Sequence, residues 1–270
     1  MPKSDRASRP LTSAAAPDVP DDERFNWLEY RNRDDFPYYR GWPTAITTSQ
    51  WRIVFASVVV AFLVLSFGLD AFKGDATSFI PRILFVVIPL GTLAVVADKH
   101  WTAIFRKVRV RDVAWMVGFG VLNLVVTMGV GFITIRLFDQ AANAASVMEK
   151  RPYGMFSFYA GTGIQLFGEE LLTILPFLAI MQLCTRRFGL SRKAAVLWAW
   201  GVSAIFFGLV HLPTYHWNLL QCLIIISIAR LVLSLAYIKT KNIWVSTGAH
   251  IVNDWVLFTL PLVASMLVPT

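Results

Sequence analysis

Five ionisable side chains in the second half of the sequence lie inside long apolar stretches. They are two adjacent carboxylates, two histidines and an aspartate: Glu169, Glu170, His211, His250 and Asp254. A charged group at the depth of a bilayer costs several kcal/mol, so each of these residues is a candidate for a functional site. A carboxylate and an imidazole that meet in a dry cavity can activate water, and a second imidazole with an aspartate can stabilise a developing oxyanion. These residue types therefore predict hydrolysis of an amide bond.

The spacing of these residues limits which of them can act together. His250 and Asp254 are four residues apart, as are Phe207 and His211, so each pair shares one face of a helix. We expect Phe207 to pack behind His211. The two adjacent glutamates point about 100° apart around a helix axis. One of them can face a reaction centre, and the other needs a different partner.

The same residue types leave other interpretations open. Glu169, His211 and His250 are also donors for a zinc ion, although no HExxH motif occurs in the sequence. We therefore commit to no cofactor and keep Zn²⁺ as an alternative. Proton-coupled transport also uses carboxylates and histidines within membrane spans, and buried ionisable residues can serve packing alone.

The composition indicates which elements carry these residues. Of the 270 residues, 56% are hydrophobic and only 16% are charged, whereas soluble domains carry about 25% charged residues. Apolar runs close to the ~20 residues of a membrane-spanning helix recur along the chain. They predict an all-α, polytopic transmembrane helical bundle of about seven spans, or eight. The seven runs are 52–72, 79–97, 113–137, 156–183, 194–212, 219–238 and 243–267.

The distribution of charge predicts the orientation of the bundle. The formal net charge is +8, and most of the 25 Lys and Arg residues lie before the first span or in alternate connections. This alternation predicts a cytoplasmic N-terminus, and location in the plasma membrane if the source is bacterial. The basic character is therefore a topology signal, and we expect no nucleic-acid partner.

The sequence divides into two regions at about residue 45. Residues 1–23 are polar and rich in proline, which is typical of disorder. The following stretch, FNWLEYRNRDDFPYYRGWP at 25–43, mixes aromatic and charged residues as in the lipid headgroup layer. We expect 1–45 to be a cytoplasmic, largely disordered tail with this interfacial aromatic segment, and 46–270 to be the transmembrane domain.

Three short motifs stand in order on separate late spans. They read GEELLTILPF at 168–177, FGLVHLP at 207–213 and HIVND at 250–254. Together they resemble the CAAX protease and bacteriocin-processing family of intramembrane proteases, over a motif core at 156–256. The resemblance implies a multi-pass intramembrane endopeptidase. Its substrate would be a membrane-associated protein or peptide, and both prenylated C-termini and leader peptides fit this description.

The resemblance also implies a role for each site residue. Glu169 matches the glutamate that activates water together with His211, and Glu170 matches the supporting second glutamate. His250 and Asp254 match the pair assigned to the oxyanion site. The resemblance favours a metal-independent glutamate mechanism over a metal-dependent one.

The first motif departs from the family pattern at one position. The family's Glu-Glu-x-x-x-Arg has Ile174 in place of the arginine, so Glu170 lacks its expected counter-charge. Arg230 is the deepest basic residue of the later spans, and we expect it to reach Glu170 from the sixth span. The alternative is that Arg230 binds backbone carbonyls or extends to the membrane interface. The departure also leaves a catalytically inactive binding or immunity protein as an alternative function.

Helix geometry sets one further condition. At 1.5 Å per residue, His250 would lie roughly 10 Å from the cytoplasmic end of its span, and His211 about 25 Å from the cytoplasmic end of its own. Straight helices with the predicted bounds do not bring the two imidazoles together. A tilt, a kink or a later start of one span is needed.

Overall fold

Seven long helices make up most of the chain. The computed structural model describes residues 19–30, 35–141 and 154–267, and of residues 261–262 and 264–267 it describes the backbone alone. This part of the chain contains helices and turns but no strand. The predicted all-α class is confirmed, and the helix ends lie within a few residues of the predicted runs. The helices are α1 (Thr48–Ala71), α2 (Phe79–Ala97), α3 (Val110–Thr134), α4 (Met155–Arg186), α5 (Arg192–Val210), α6 (Leu219–Thr240) and α7 (Ile243–Leu267).

Among the described residues, six helices are long and apolar enough to cross a membrane. They are α1 to α6, with α2 continued by a 3₁₀ segment, Asp98–Ile104. The apolar windows of α1, α2 and α3 are only 22%, 28% and 17% buried inside the protein, whereas that of α4 is 67% buried. Helix α4 is therefore central, while α1 to α3 turn most of their surface outward. The predicted polytopic bundle is confirmed.

Helix α4 is held close to α2 just before its two glutamates. A Cβ atom at Gly168 would lie 2.3 Å from the ring of Phe85, which α2 contributes to the core. A larger residue at position 168 would push the two helices apart, so the glycine fixes how closely they approach. This contact sets the position of the glutamates relative to α2.

Helix α6 contains a π-helical segment, Cys222–Ile226, in which the Ser227 hydroxyl donates a hydrogen bond to the Cys222 carbonyl over 3.1 Å. A π segment inserts one residue into a helical turn and so rotates every side chain that follows. Helix α5 lies directly against it, because a Cβ atom at Gly208 would be 2.2 Å from the Ser227 Oγ. The segment therefore sets the direction of Arg230, three residues after Ser227.

The N-terminal segment, which we define as residues 19–30 and 35–47, packs into the bundle. Phe36, Tyr38 and Tyr39 are only 2%, 0% and 1% exposed, and all three belong to the main hydrophobic core. These three rings are enclosed by protein and do not face lipid headgroups, and the depth of the segment in a membrane stays a prediction. The predicted disorder covers residues 1–23, of which residues 1–18 lie outside the described part of the chain.

Four charged side chains form a buried ion cluster between the N-terminal segment and the helices: Glu29, Asp35, Arg192 and Lys241. Arg192 donates to both Glu29 oxygens over 2.8 and 2.6 Å and to Asp35 over 2.8 Å, and Lys241 donates to Glu29 over 2.5 Å. Burial opposes ionisation of Glu29, but the hydrogen bonds and charges of Arg192 and Lys241 outweigh it and lower its pKa to about 2. The cluster therefore fastens the N-terminal segment with paired charges.

The connection between α6 and α7 lies inside the protein. Its two residues, Lys241 and Asn242, are 1% and 2% exposed. Arg106 donates to the Lys241 carbonyl over 2.9 Å, and Asn242 exchanges two 3.1 Å hydrogen bonds with the backbone of Arg106. Helix α7 thus begins inside the protein, next to the N-terminal segment.

Candidate active site

Glu170 lies at the centre of the bundle and is fully buried. Arg230 donates from both terminal nitrogens to its two carboxylate oxygens, each over 2.7 Å. The predicted contact between Arg230 and Glu170 is present, and Ile174, at the position of the family's arginine, is a buried core residue. A paired, doubly hydrogen-bonded carboxylate is the form in which a charge can be kept inside a protein.

Glu169 points to a different side of α4 and lines an internal cavity. Its Oε2 lies 3.9 Å from Nε2 of His211 and 3.8 Å from Nε2 of His250. Its Oε1 accepts a 3.0 Å hydrogen bond from the Gln165 side chain. The two adjacent glutamates therefore have separate environments, as their angular offset predicts. One is sealed in an ion pair, and the other faces both histidines.

His211 follows directly after the last residue of α5. Its Nδ1 lies 2.8 Å from the Phe207 carbonyl, which can only accept, so Nδ1 carries a proton. In the neutral ring, Nε2 is then an acceptor that faces Glu169. The Phe207 and His211 rings are 4.4 Å apart, and the Arg230 guanidinium lies 4.9 Å from the Phe207 ring centre. Phe207 therefore packs behind His211, as the sequence predicts.

His250 joins the two glutamates from α7. Its Nδ1 lies 2.9 Å from Oε1 of Glu170, and its Nε2 lies 3.7 Å from Oδ1 of Asp254 on the same helix face. The Glu170 carboxylate already accepts from Arg230, so it also accepts from Nδ1 of His250. Asp254 accepts a 2.7 Å hydrogen bond from the Asn253 side chain. The ring of His250 is thus held from both sides by acidic groups.

The two imidazoles meet at Glu169 although straight spans of the predicted bounds would separate them. Helix α7 begins at Ile243, as predicted, and it follows a connection that is enclosed by protein. His250 lies seven residues into α7, and its Nε2 is 3.8 Å from Oε2 of Glu169. Residues counted from the predicted span ends therefore do not give the relative depth of the two imidazoles.

The cavity at Glu169 has a volume of about 440 Å³ and contains polar side chains that were not singled out from the sequence. Asn123 on α3 is 0% exposed, and neither its Nδ2 nor its Oδ1 has a hydrogen-bond partner among the described residues. The Oγ1 of Thr127, one helical turn later, is likewise unpartnered within that part of the structure. In the sequence, Asn123 and Thr127 are two polar residues four positions apart in a mostly apolar span. Neither of them is ionisable, so the charge criterion that identifies Glu169 and His250 does not identify them.

The residues around Glu169 include donor types that a metal ion can use. Within residues 19–30, 35–141 and 154–267, no three His, Cys, Asp or Glu side chains are close enough to hold a metal ion. Glu169, His211 and His250 are suitable donor types, but the 3.8 and 3.9 Å separations exceed the ~3.4 Å expected between two ligands of tetrahedral zinc. The pocket would have to contract before these three groups could bind the ion.

Comparison with known proteins gives one match. Residues 152–256 match a family model described as type II CAAX prenyl endopeptidase Rce1-like. A search of curated proteins and a search of solved structures gave no match. The matched range contains all three motifs and the residues that converge on the cavity. The resemblance predicted from the motifs is confirmed over this range, and it supports a membrane endopeptidase in general.

Proposed function

We propose that the protein is a CAAX-type intramembrane endopeptidase that hydrolyses a peptide bond of a membrane-associated protein or peptide. The observation that carries the proposal is the convergence of the Glu169 carboxylate with Nε2 of both His211 and His250, at 3.9 and 3.8 Å. Separations of this length are longer than a direct hydrogen bond and suit an oxygen atom held between the polar groups. The family match over residues 152–256 supports the same class of activity.

Glu169 and His211 activate the attacking water in this proposal. The neutral His211 ring accepts one water proton in a hydrogen bond at Nε2, because Nδ1 is committed to the Phe207 carbonyl. The Glu169 carboxylate takes the other proton as the water oxygen bonds to the substrate carbonyl carbon. When the C–N bond breaks, the same proton passes from Glu169 to the leaving nitrogen. The glutamate is then an ionised base again.

His250 stabilises the oxygen of the tetrahedral intermediate. A donor at Nε2 requires the imidazolium form, and the carboxylates of Glu170 and Asp254 on either side of the ring stabilise that cation. Asp254 accepts a hydrogen bond from Asn253 at Oδ1, the oxygen that lies 3.7 Å from Nε2 of His250, and in this proposal it acts as an acceptor that orients His250. Glu170 and Arg230 are positioning residues, because they act through His250.

Asn123 binds the substrate main chain from the opposite wall of the cavity. Its amide offers a donor and an acceptor, which are the two groups that a peptide bond can pair with. Both atoms are buried and lack partners within the described structure, and leaving them so costs about 1–3 kcal/mol each. A substrate peptide that pairs with them relieves this cost on binding.

The zinc alternative is kept separate from this route. If the ion binds, Glu169, His211 and His250 are the residues that would hold it, and it would supply Lewis-acid activation of water. The route through Glu169 and His211 needs no metal ion. Metal analysis of the purified protein, together with turnover after chelator treatment, distinguishes the two mechanisms: full turnover in metal-free protein supports the glutamate route.

A comparison of membrane proteomes tests the proposed function. Cells with Glu169→Gln should accumulate uncut membrane proteins that cells with the wild-type protein cleave, and turnover by the purified variant should fall by about 10²–10⁴. The matched control is Asp70→Asn, which neutralises an exposed carboxylate near the end of α1 and should cleave normally. Retained cleavage in Glu169→Gln would refute the proposal. Proton-coupled flux without a peptide product would identify a transporter. A cellular effect that involves no cleavage and survives the loss of Glu169 would identify a binding protein.

A further inference from the structure

A second pocket lies between the first turns of α1 and the last turns of α4, away from the candidate active site. Its volume is about 360 Å³. The proposed chemistry uses none of the residues that line it, and of the three motifs only the end of the first one, at Pro176, reaches its wall. Its walls combine three features that together describe a ligand.

The first feature is a group of three arginines. Arg52, Arg186 and Arg187 all line the pocket, and all are exposed. Within the described part of the chain, no carboxylate forms an ion pair with any of them. The Arg186 guanidinium lies against the N-terminal segment, since a Cβ atom at Gly41 would be 2.7 Å from its Nη2. The arrangement is a concentrated positive charge that suits an anion with several oxygen atoms.

The second feature is a pair of buried polar groups on the pocket wall. Trp51 and Gln182 are each only 4% exposed and line the pocket. The indole Nε1 of Trp51 and the Oε1 of Gln182 have no hydrogen-bond partner among the described residues. A buried donor and a buried acceptor are costly when left unpaired. The ligand therefore carries both an acceptor oxygen and a hydroxyl or equivalent donor.

The third feature is an apolar wall that faces outward from the bundle. Phe55, Ile180 and Leu183 line the pocket within the membrane-spanning helices α1 and α4, and Phe55 and Leu183 are each 41% exposed. A free inorganic anion gains nothing from such a surface. A ligand with a hydrocarbon chain buries it.

We propose that this pocket binds an anionic phospholipid. The phosphodiester lies among Arg52, Arg186 and Arg187. A glycerol ester oxygen accepts from the indole N–H of Trp51, and a headgroup hydroxyl donates to the amide oxygen of Gln182. One acyl chain follows the apolar wall into the bilayer. Basic pockets between membrane helices bind acidic lipid headgroups in this way.

Lipid binding by the full-length protein in detergent micelles tests the proposal. The probes are phosphatidylglycerol, phosphatidylcholine and inorganic phosphate, and the readout is lipid occupancy by native mass spectrometry together with the midpoint of thermal unfolding. We expect phosphatidylglycerol to bind about tenfold more tightly than phosphatidylcholine, and phosphate alone to leave the midpoint unchanged. The double variant Arg186→Gln/Arg187→Gln should weaken phosphatidylglycerol binding about 30-fold.

Two further variants keep the result decisive. Lys99→Gln/Lys107→Gln removes two exposed charges outside the pocket and should change binding by less than about twofold. Trp51→Phe keeps the ring but removes the N–H donor, and should weaken binding about fivefold even if the arginine variant fails to fold. Equal binding of the two lipids, or an equal loss with the lysine variant, overturns the proposal. A stabilising effect of phosphate equal to that of phosphatidylglycerol assigns the pocket to a free anion instead.

Discussion

Replacing Arg230 with methionine is the sharpest test of how the centre of this bundle is held. The guanidinium makes two 2.7 Å hydrogen bonds to Glu170, and both side chains are 0% exposed. Methionine keeps much of the length and apolar contact but leaves Glu170 with His250 as its remaining partner. Removing one member of a buried ion pair costs about 3–5 kcal/mol, because the other charge stays desolvated. The total stability of a domain is only about 5–15 kcal/mol, so much of it should be lost.

A double-mutant cycle isolates the pair from other effects of the substitution. Glu170→Gln alone leaves Arg230 without its carboxylate, while the double variant removes both charges. We expect the double variant to be more stable than the sum of the single losses allows, with a coupling energy of about 2–3 kcal/mol. The assay is equilibrium unfolding in mixed micelles, read by tryptophan fluorescence. Arg136→Met, at an exposed position after α3, is the control and should change stability by less than about 0.5 kcal/mol.

The same variants report on turnover. Because Glu170 fixes the Nδ1 side of His250, loss of the pair should also reduce peptide cleavage in whatever fraction of Arg230→Met remains folded. The predicted role of Arg230 is refuted if Arg230→Met lowers the free energy of unfolding by less than about 1 kcal/mol, the coupling energy is near zero and cleavage is unchanged. Arg230 would then not replace the arginine that the motif lacks.

Three other substitutions test separate parts of the structure. Asn123→Leu should raise KM about tenfold without loss of stability, because it removes two buried polar atoms that lack partners in the described structure. Thr127→Val should have a smaller effect of the same kind, and unchanged kinetics in both variants would contradict the substrate role. Glu29 has a pKa lowered to about 2 from 4.5, so its contribution to stability is complete above pH 4.5 and is lost as the pH falls towards 2. Glu29→Gln should therefore flatten the plot of stability against pH between pH 4.5 and 2. An unchanged pH dependence in that range would contradict the assigned ion pairs. Gly208→Ala should lower the free energy of unfolding by about 1–3 kcal/mol, because its Cβ would lie 2.2 Å from the Ser227 Oγ. The control is Gly201→Ala in the same helix, whose Cβ would have no atom within 4 Å, and it should be neutral or stabilising in thermal unfolding.

The sequence predicted the membrane helices well because each span is specified locally. An apolar run of the right length needs no partner to form a helix in a bilayer, so its bounds follow from composition alone. The five candidate site residues could be predicted from the sequence for a related reason. Ionisable groups such as Glu169 and His250 stand out in an apolar stretch, and their spacing places them on defined helix faces.

The parts that were missed depend on contacts between distant positions. Phe36 and Tyr38 belong to a stretch with the composition of an interfacial segment, but distant residues bury them. Phe36 packs against Phe177 and Tyr237, and Tyr38 packs against Trp51. The π segment at Cys222–Ile226 packs closely against Gly208, and no local pattern in the apolar run predicts it. The contact of Arg230 with Glu170 could be predicted only because Ile174 replaces the arginine of the family motif, which leaves Glu170 without its expected counter-charge.

The buried ion cluster has a consequence for how the protein is made. Glu29 precedes Lys241 by 212 positions, so it is synthesised long before Arg192 and Lys241, the two residues that neutralise its charge. The N-terminal segment can complete the cluster only after the last helical hairpin has been made, and Lys241 gains its counter-charge at the same time. A truncated product that begins after residue 47 would retain the seven helices, yet it would leave Lys241 in the interior without Glu29.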